Sequence, residues 1–152
     1  MKLRNDAETI VQGCIRAVLP DEAVARALRE YSPSTGRMIV VAVGKAAWTM
    51  AKTAVENLSR VDAGIVITKY EHVKGEIPGI RCFEAGHPVP DENSYRATEK
   101  ALQMVQNLTS EDDVLFLLSG GGSALFEKPL IEPEELDSPY LEIGESLTLA
   151  PT

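Results

Sequence analysis

The sequence of 152 residues has few of the features that mark secreted, membrane or metal-binding proteins. Its two cysteines, Cys14 and Cys82, are far apart and have no metal-ligand spacing, so neither a disulfide framework nor a zinc site is indicated. No apolar run approaches the length of about 20 residues that crosses a bilayer. The N-terminal segment also lacks the long apolar core of a signal peptide. These absences predict a cytoplasmic protein with reduced thiols.

Positive charge is scarce as well, with 15 Lys and Arg against 23 Asp and Glu and a net charge of −8. A nucleic-acid surface requires a basic stripe, which this composition does not provide. A single well-placed lysine can still attract a small anionic ligand, because its local field outweighs the net charge. We therefore expect a small-molecule ligand and neither a nucleic-acid nor a membrane partner.

What the sequence does contain is an alternation of apolar strands and amphipathic helices. Strands are predicted at residues 37–44, 63–69, 80–85 and 113–118, and helices at residues 6–19, 22–31, 45–58 and 90–108. Strands that are apolar on both faces and alternate with helices are typical of a parallel sheet covered by helices. We predict an α/β protein, a three-layer α/β/α sandwich around a mainly parallel, Rossmann-like sheet.

The last predicted strand runs directly into a glycine-rich loop, SGGGS, formed by Ser119, Gly120, Gly121, Gly122 and Ser123. Glycine loses more backbone freedom on folding than any other residue, so three in succession suggest that bare backbone is needed. In an α/β sheet, ligands bind beyond the carboxyl ends of the strands, where the N–H groups of such a loop can converge on one anion. A tight strand-to-helix turn with glycines for steric reasons is the alternative.

A second glycine, Gly44, ends the first predicted strand and is followed by Lys45 at the start of a helix. The dipole of a helix N-terminus repels cations, so a lysine there suggests that an anion lies between them. A solvent-facing lysine after a glycine turn is the alternative. Established phosphate fingerprints do not match: Ile39 and Ala46 break the P-loop pattern, and Leu125 replaces the last glycine of the dinucleotide motif.

The third candidate is the loop GHPVPD at residues 86–91, which also follows a predicted strand. His87 is an acid/base candidate because histidine titrates near neutrality, and Asp91 is a second polar group on the same proline-stiffened loop. The alternatives are that His87 hydrogen-bonds the loop and that Asp91 only caps the next helix.

Together, the segments VVAVGKAAWTMAKTA, EAGHPVPDENSYRATEKAL and LLSGGGSAL resemble the N-terminal part of the glycerate 2-kinase family, some members of which are labelled hydroxypyruvate reductases. The resemblance covers about residues 5–128. It implies a two-domain kinase that uses ATP and Mg²⁺ to phosphorylate D-glycerate on its 2-hydroxyl group, in a cleft between the domains. By the same resemblance, we assign catalytic roles to Lys45 and His87. Substrate or phosphate binding is assigned to Gly44, Lys45, Asp91, Ser119, Gly120, Gly121, Gly122 and Ser123.

Residues 1–128 are predicted to form the kinase-like domain, and residues 129–152 a tail that departs from the family pattern. A second domain and a carboxylate cluster for Mg²⁺ are not evident, so we expect weak or no kinase activity from this chain alone. The alternatives are a stand-alone nucleotide- or anion-binding module, a non-functional remnant, or a nicotinamide-dependent hydroxypyruvate reductase, against which the missing dinucleotide motif counts. A homodimer is expected, because the tail is rich in apolar side chains that need cover.

Overall fold

The computed structural model describes residues 2–129, which form five helices and four strands. The helices are α1 (Lys2–Ala17), α2 (Pro20–Leu28), α3 (Ala47–Asn57), α4 (Glu92–Met104) and α5 (Gly122–Leu125). The strands are β1 (Met38–Val43), β2 (Ala63–Lys69), β3 (Ile80–Ala85) and β4 (Asp113–Leu118). Apart from Pro129, the predicted tail lies outside the described residues, so the domain boundary at residue 128 stays a prediction. None of the helices described is long and apolar enough to cross a membrane.

The four strands form one sheet in the order β3-β2-β1-β4, and all three pairings are parallel. Strand β1, MIVVAV, is buried at every position because it lies between two neighbours and is covered on both faces. Helices α2 and α3 pack on one face of the sheet, and α4 packs on the other. The predicted three-layer sandwich with a parallel, Rossmann-like sheet is thereby confirmed.

Small side chains on the helices allow close packing against the branched side chains of the sheet. Ala47, Ala51 and Ala54 of α3 are completely buried on one face, while Ala97 and Ala101 of α4 are buried on the other. Such burial of apolar surface supplies the main stabilisation of the fold. It also holds α3 and α4 against the sheet, and with them the loops that precede these helices.

The order of the strands creates a reversal between β1 and β4. From β1 the chain passes through α3 to β2 on one side, whereas from β3 it returns through α4 to β4 on the other side. In open α/β sheets, the crevice beyond the carboxyl ends of the strands at such a reversal is the usual ligand position. The loops that follow β1 and β4 both lie at this crevice.

Strand β4 departs from the expectation that helices cover both faces of each strand. Leu117 is buried on the face that α3 covers, but Val114, Phe116 and Leu118 are 38%, 47% and 61% exposed on the other face. Helix α1 also buries none of its residues, although its sequence is amphipathic. Within residues 2–129, apolar surface is therefore open beside the edge strand β4.

Candidate functional site

Three loops meet at the carboxyl edge of the sheet. Residues 44–46 follow β1, residues 86–91 follow β3, and residues 119–121 follow β4. Because parallel strands end at the same edge, the three sequence segments singled out above are brought to one side of the molecule. Two of these loops are joined directly by hydrogen bonds.

The loops after β1 and β4 are held together by backbone groups and one hydroxyl group. The N–H of Ser119 donates to the carbonyl of Val43 at 2.9 Å, and the N–H of Lys45 donates to the carbonyl of Gly120 at 2.9 Å. The Ser119 hydroxyl accepts from the N–H of Ala46 at 3.0 Å and lies 3.3 Å from the Val43 carbonyl. The side chain of Ser119 therefore joins the two loops, and the backbone on either side of it is fixed.

The glycine loop approaches both His87 and Lys45 at Gly121. Gly121 has a φ of +88°, a conformation that favours glycine. A β-carbon at this position would lie 2.7 Å from Nε2 of His87 and 3.4 Å from Cγ of Lys45. The three sequence candidates thus converge on one point, which only a residue without a side chain can occupy.

The other two glycines of the loop differ in their surroundings. A β-carbon at Gly122 would lie 2.5 Å from Cδ1 of Leu118, so this glycine serves close packing. Gly120 is exposed, and a β-carbon there would meet nothing closer than Cε of Lys45 at 3.8 Å. Among the described residues, the N–H groups of Gly120 and Gly121 find no acceptor. Both proposed reasons for the glycines, packing and open backbone, therefore apply, but to different positions.

Polar side chains at this edge are free to meet a ligand. Lys45 is exposed, and neither its ammonium group nor the His87 ring has a hydrogen bond or ion pair with residues 2–129. Ser123 is exposed on α5. One cation, one imidazole and unpaired backbone N–H groups are an arrangement suited to an anion such as phosphate.

Asp91 lies at the same edge but is occupied by protein groups. Its carboxylate accepts from the N–H of Ser94 at 3.0 Å in a capping box at the start of α4, and from the hydroxyl of Tyr70 at 2.6 Å. Burial alone would raise the pKa of Asp91, but the hydrogen bonds from Tyr70, the Gly86 N–H and Ser94 outweigh burial and lower it. The geometry thus favours the helix-capping alternative for Asp91, and its assignment to substrate binding stays a prediction.

Tyr70 is the residue at this edge that sequence reasoning missed. It directly follows β2, and its hydroxyl donates to Asp91 and accepts from the side-chain amide of Asn93 at 2.8 Å. The hydrogen bond to Asp91 is the main reason that the pKa of Tyr70 is raised. The sequence feature that could have identified Tyr70 is its position at the carboxyl end of a predicted strand.

Residues 2–129 contain no group of three or more His, Cys, Asp or Glu side chains that could hold a metal ion. Since Mg²⁺ in phosphate sites is bound largely through phosphate oxygens and water, the Mg²⁺ that the family resemblance implies stays a prediction.

The fold is that of a Rossmann-like α/β/α domain, and the glycine loop, Lys45 and His87 meet at its topological reversal. The chain belongs to a family described as a domain of unknown function, DUF4147, whose model matches residues 6–139. The glycine loop, Lys45 and the GHPVPD loop all fall within the matched segment.

Several relatives of the chain have names that describe an activity. The chain is 48% identical over 95% of its length to D-glycerate 2-kinase of Thermotoga maritima, and 37% identical over 85% of its length to glycerate 2-kinase of Pyrococcus horikoshii. A relative from Agrobacterium vitis, 41% identical over 79% of this chain and 27% of its own length, is named "Putative hydroxypyruvate reductase". The resemblance drawn from the sequence is confirmed at the level of the family.

The solved structures agree with these relationships. The crystal structure of glycerate kinase from Thermotoga maritima superposes with a TM-score of 0.81 at 48% identity, over 89% of this chain and 33% of that one. A protein from Pyrococcus horikoshii superposes with the same TM-score at 36% identity, over 90% of this chain and 34% of that one. The chain spans about a third of the length of the two named kinases, 36% and 31%.

Proposed function

We propose that this chain forms the N-terminal, phosphate-binding part of an ATP-dependent kinase that phosphorylates D-glycerate on its 2-hydroxyl group. The observation that carries the proposal is the convergence of Lys45 and His87 on Gly121 at the reversal of the sheet. The relatives named as glycerate 2-kinases support the choice of reaction. The position of the site agrees with the general rule for ligands of open α/β sheets.

In this proposal, Lys45 and the glycine loop hold the phosphate groups. Phosphoryl transfer requires from a protein mainly positioning and neutralisation of charge on the transferred group. The Lys45 ammonium provides positive charge, and the N–H groups of Gly120 and Gly121 provide donors whose directions are fixed by the hydrogen bonds at Ser119. These groups are in place before the ligand arrives, so little reorganisation is needed.

His87 is proposed to accept the proton of the attacking hydroxyl group. The 2-hydroxyl oxygen of glycerate forms a bond to the γ-phosphorus of ATP, the bond to the bridging oxygen breaks, and ADP leaves. Nε2 of His87 faces the glycine loop and has no hydrogen bond with residues 2–129, so it is available for the proton. Mg²⁺ would neutralise phosphate charge in such a kinase, but no step is assigned to a metal held by the residues described.

Assembly is part of the proposal. The face of β4 that carries Val114, Phe116 and Leu118 borders an apolar groove of about 310 Å³, which also reaches Phe126. Exposed apolar surface of this kind usually marks an interaction site. We propose that a second copy of the chain covers this face and that the protein is a homodimer.

The main alternatives differ in the ligand that they require. A reductase, as the name of the Agrobacterium vitis relative suggests, binds a nicotinamide cofactor, whereas a simple anion-binding module binds phosphate without preference for a nucleotide. Calorimetric titration of the purified chain with ATP, inorganic phosphate, D-glycerate and NADPH separates these possibilities. The kinase proposal predicts that ATP binds more tightly than phosphate and that NADPH does not bind; saturable binding of NADPH but not ATP would contradict it.

A further inference from the structure

The position of His87 is not determined by hydrogen bonds of its own ring. Within residues 2–129 the imidazole makes none, although Nε2 lies close to the backbone of Gly121. The ring is also only partly buried. What holds it against the glycine loop must therefore be the backbone of the segment that carries it, residues 86–91.

Asp91 closes that segment on itself. The backbone of Gly86, at the beginning of the segment, faces the Asp91 carboxylate at its end, and its N–H helps to lower the pKa of Asp91. The fit is close, because a β-carbon at Gly86 would lie 2.5 Å from the carbonyl oxygen of Val89 and 3.0 Å from Cγ of Asp91. The same carboxylate receives the N–H of Ser94, so the closed segment is also attached to the start of α4.

Tyr70 attaches the closed segment to the sheet. Its hydroxyl donates to Oδ2 of Asp91 at 2.6 Å, and the side chain of Asn93 donates to the same hydroxyl at 2.8 Å. Tyr70 directly follows β2, the neighbour of β1, and β1 in turn leads to Gly44 and Lys45. The Tyr70 side chain is 46% exposed, so it contributes this contact rather than a part of the core.

We propose that Tyr70 and Asp91 are positioning residues, whose hydrogen bond ties the loop of residues 86–91 to the end of β2 and thereby keeps the His87 imidazole against Gly121. In this proposal Asp91 acts through His87, and this positioning role replaces its predicted assignment to substrate binding. That His87 then meets a bound phosphate group rests on the proposed function, whereas its placement against Gly121 does not.

Histidine NMR of the complete chain can test this placement, because the sequence has only two histidines. Signals of His72 and His87 are assigned with a His72→Gln variant. The nuclear Overhauser effect between the ring protons of His87 and the α-protons of Gly121 reports their contact. Shifts of the His87 signals during titration with inorganic phosphate report the proximity of the anion.

Tyr70→Phe is the decisive variant, and Tyr31→Phe is its matched control. Tyr31 also donates to a carboxylate, Asp113, at 2.5 Å, but at the amino ends of the strands. We expect Tyr70→Phe to abolish most of the contact between His87 and Gly121. Phosphate binding should weaken by about three- to tenfold, less than for the loss of a charged hydrogen bond to the ligand itself, because Tyr70 acts only through the position of His87. Tyr31→Phe should change neither readout.

Asp91→Asn provides a second variant that still caps α4, because asparagine is as good an N-cap as aspartate. It should also loosen the contact between His87 and Gly121, while the His72 signals show that the fold is kept. A contact of parental strength in both Tyr70→Phe and Asp91→Asn would overturn the positioning proposal. If phosphate shifts no His87 signal even in the parent chain, the proposed phosphate site fails, and the loss or retention of the contact still decides the positioning roles.

Discussion

Ser119 lies so close to Gly44 that no side chain fits between the loops after β1 and β4. A β-carbon at position 44 would lie 2.3 Å from the hydroxyl oxygen of Ser119 and 2.5 Å from its carbonyl oxygen. Gly44 also has a φ of +112°, which residues with a side chain rarely adopt. The close approach of the two loops, which brings Lys45 to the glycine loop, therefore depends on a glycine at this position.

Gly44→Ala should lower the free energy of unfolding by about 2–4 kcal/mol, since strain at positive φ adds to a clash with the backbone of Ser119. Urea denaturation measures the loss. Gly75→Ala is the control, because Gly75 also has a positive φ, +143°, but a β-carbon there would meet nothing within 4 Å. If both variants lost the same free energy of unfolding, the close approach of Gly44 to Ser119 would not contribute to the destabilisation.

Asp112 should make the stability depend on pH. It accepts from the Arg37 guanidinium at 3.0 Å and from the N–H groups of Arg37 and Thr109, and these bonds, that of the guanidinium first, hold its pKa well below its usual range. Because the folded-state pKa is lowered, the stabilisation is present above the unfolded-state pKa, near 3.8, and is lost as the pH falls through the folded-state value.

Asp112→Asn should therefore lower the free energy of unfolding at neutral pH, and its difference from the parent should shrink progressively below about pH 4. Urea denaturation across this pH range checks the trend. Asp6→Asn, in the exposed helix α1, is the control for the removal of one negative charge. A difference for Asp112→Asn that stays constant with pH would mean that the ion pair with Arg37 does not cause it.

The exposed face of β4 should produce self-association. We expect a dimer in sedimentation equilibrium, and Phe116→Gln should shift it towards monomer because Phe116 is 47% exposed beside the apolar groove. Val89→Gln, which changes an apolar residue that is 73% exposed on another surface, should leave the dimer intact. A parent chain that stays monomeric at high micromolar concentration, also after removal of residues 129–152, would contradict the proposed dimer.

The chain by itself should transfer phosphate poorly, because it spans about a third of the length of its kinase relatives. A coupled assay of ADP release with ATP and D-glycerate should give no more than trace turnover. Turnover within the usual enzyme range of about 1–1000 per second would mean that this chain assembles a complete site. The Lys45→Ala variant shows whether any turnover comes from the proposed site.

The sequence predicted the strands well because β1 and β2 combine β-branched residues with boundaries marked by glycine or charge. It overestimated the length of the last three predicted helices, for instance at residues 90–108, where α4 ends at Met104, and it placed the start of the first helix at residue 6 although α1 begins at Lys2. Periodicity continues past that point, but Asn107 has a φ of +56°, which a helix cannot contain. The exposure of one face of β4 could not be predicted, since an apolar strand has the same sequence pattern whether its second face is covered by a helix or open.

The candidate site was predicted in part. The convergence of Lys45, His87 and the glycine loop follows from strand ends that share one edge of a parallel sheet, which the alternation of strands and helices already indicates. The hydrogen bond from Tyr70 to Asp91, which we propose positions His87, was not predicted. A tyrosine after β2 can be matched to its partner only when the distant loop of residues 86–91 is placed beside it. Local sequence cannot specify such a contact across 21 residues.

Calorimetric titration of ATP into the parent chain and its Lys45→Ala variant tests the central proposal most directly. If Lys45 makes a charged hydrogen bond to a phosphate group, the variant should lose about 1.5–3 kcal/mol of binding free energy, roughly a ten- to hundredfold weaker affinity. Lys52→Ala is the control, since Lys52 pairs with Glu56 at 2.7 Å on the exposed side of α3 and should not affect binding. Equal affinity of the parent and Lys45→Ala would remove Lys45 from the site and contradict the proposed function.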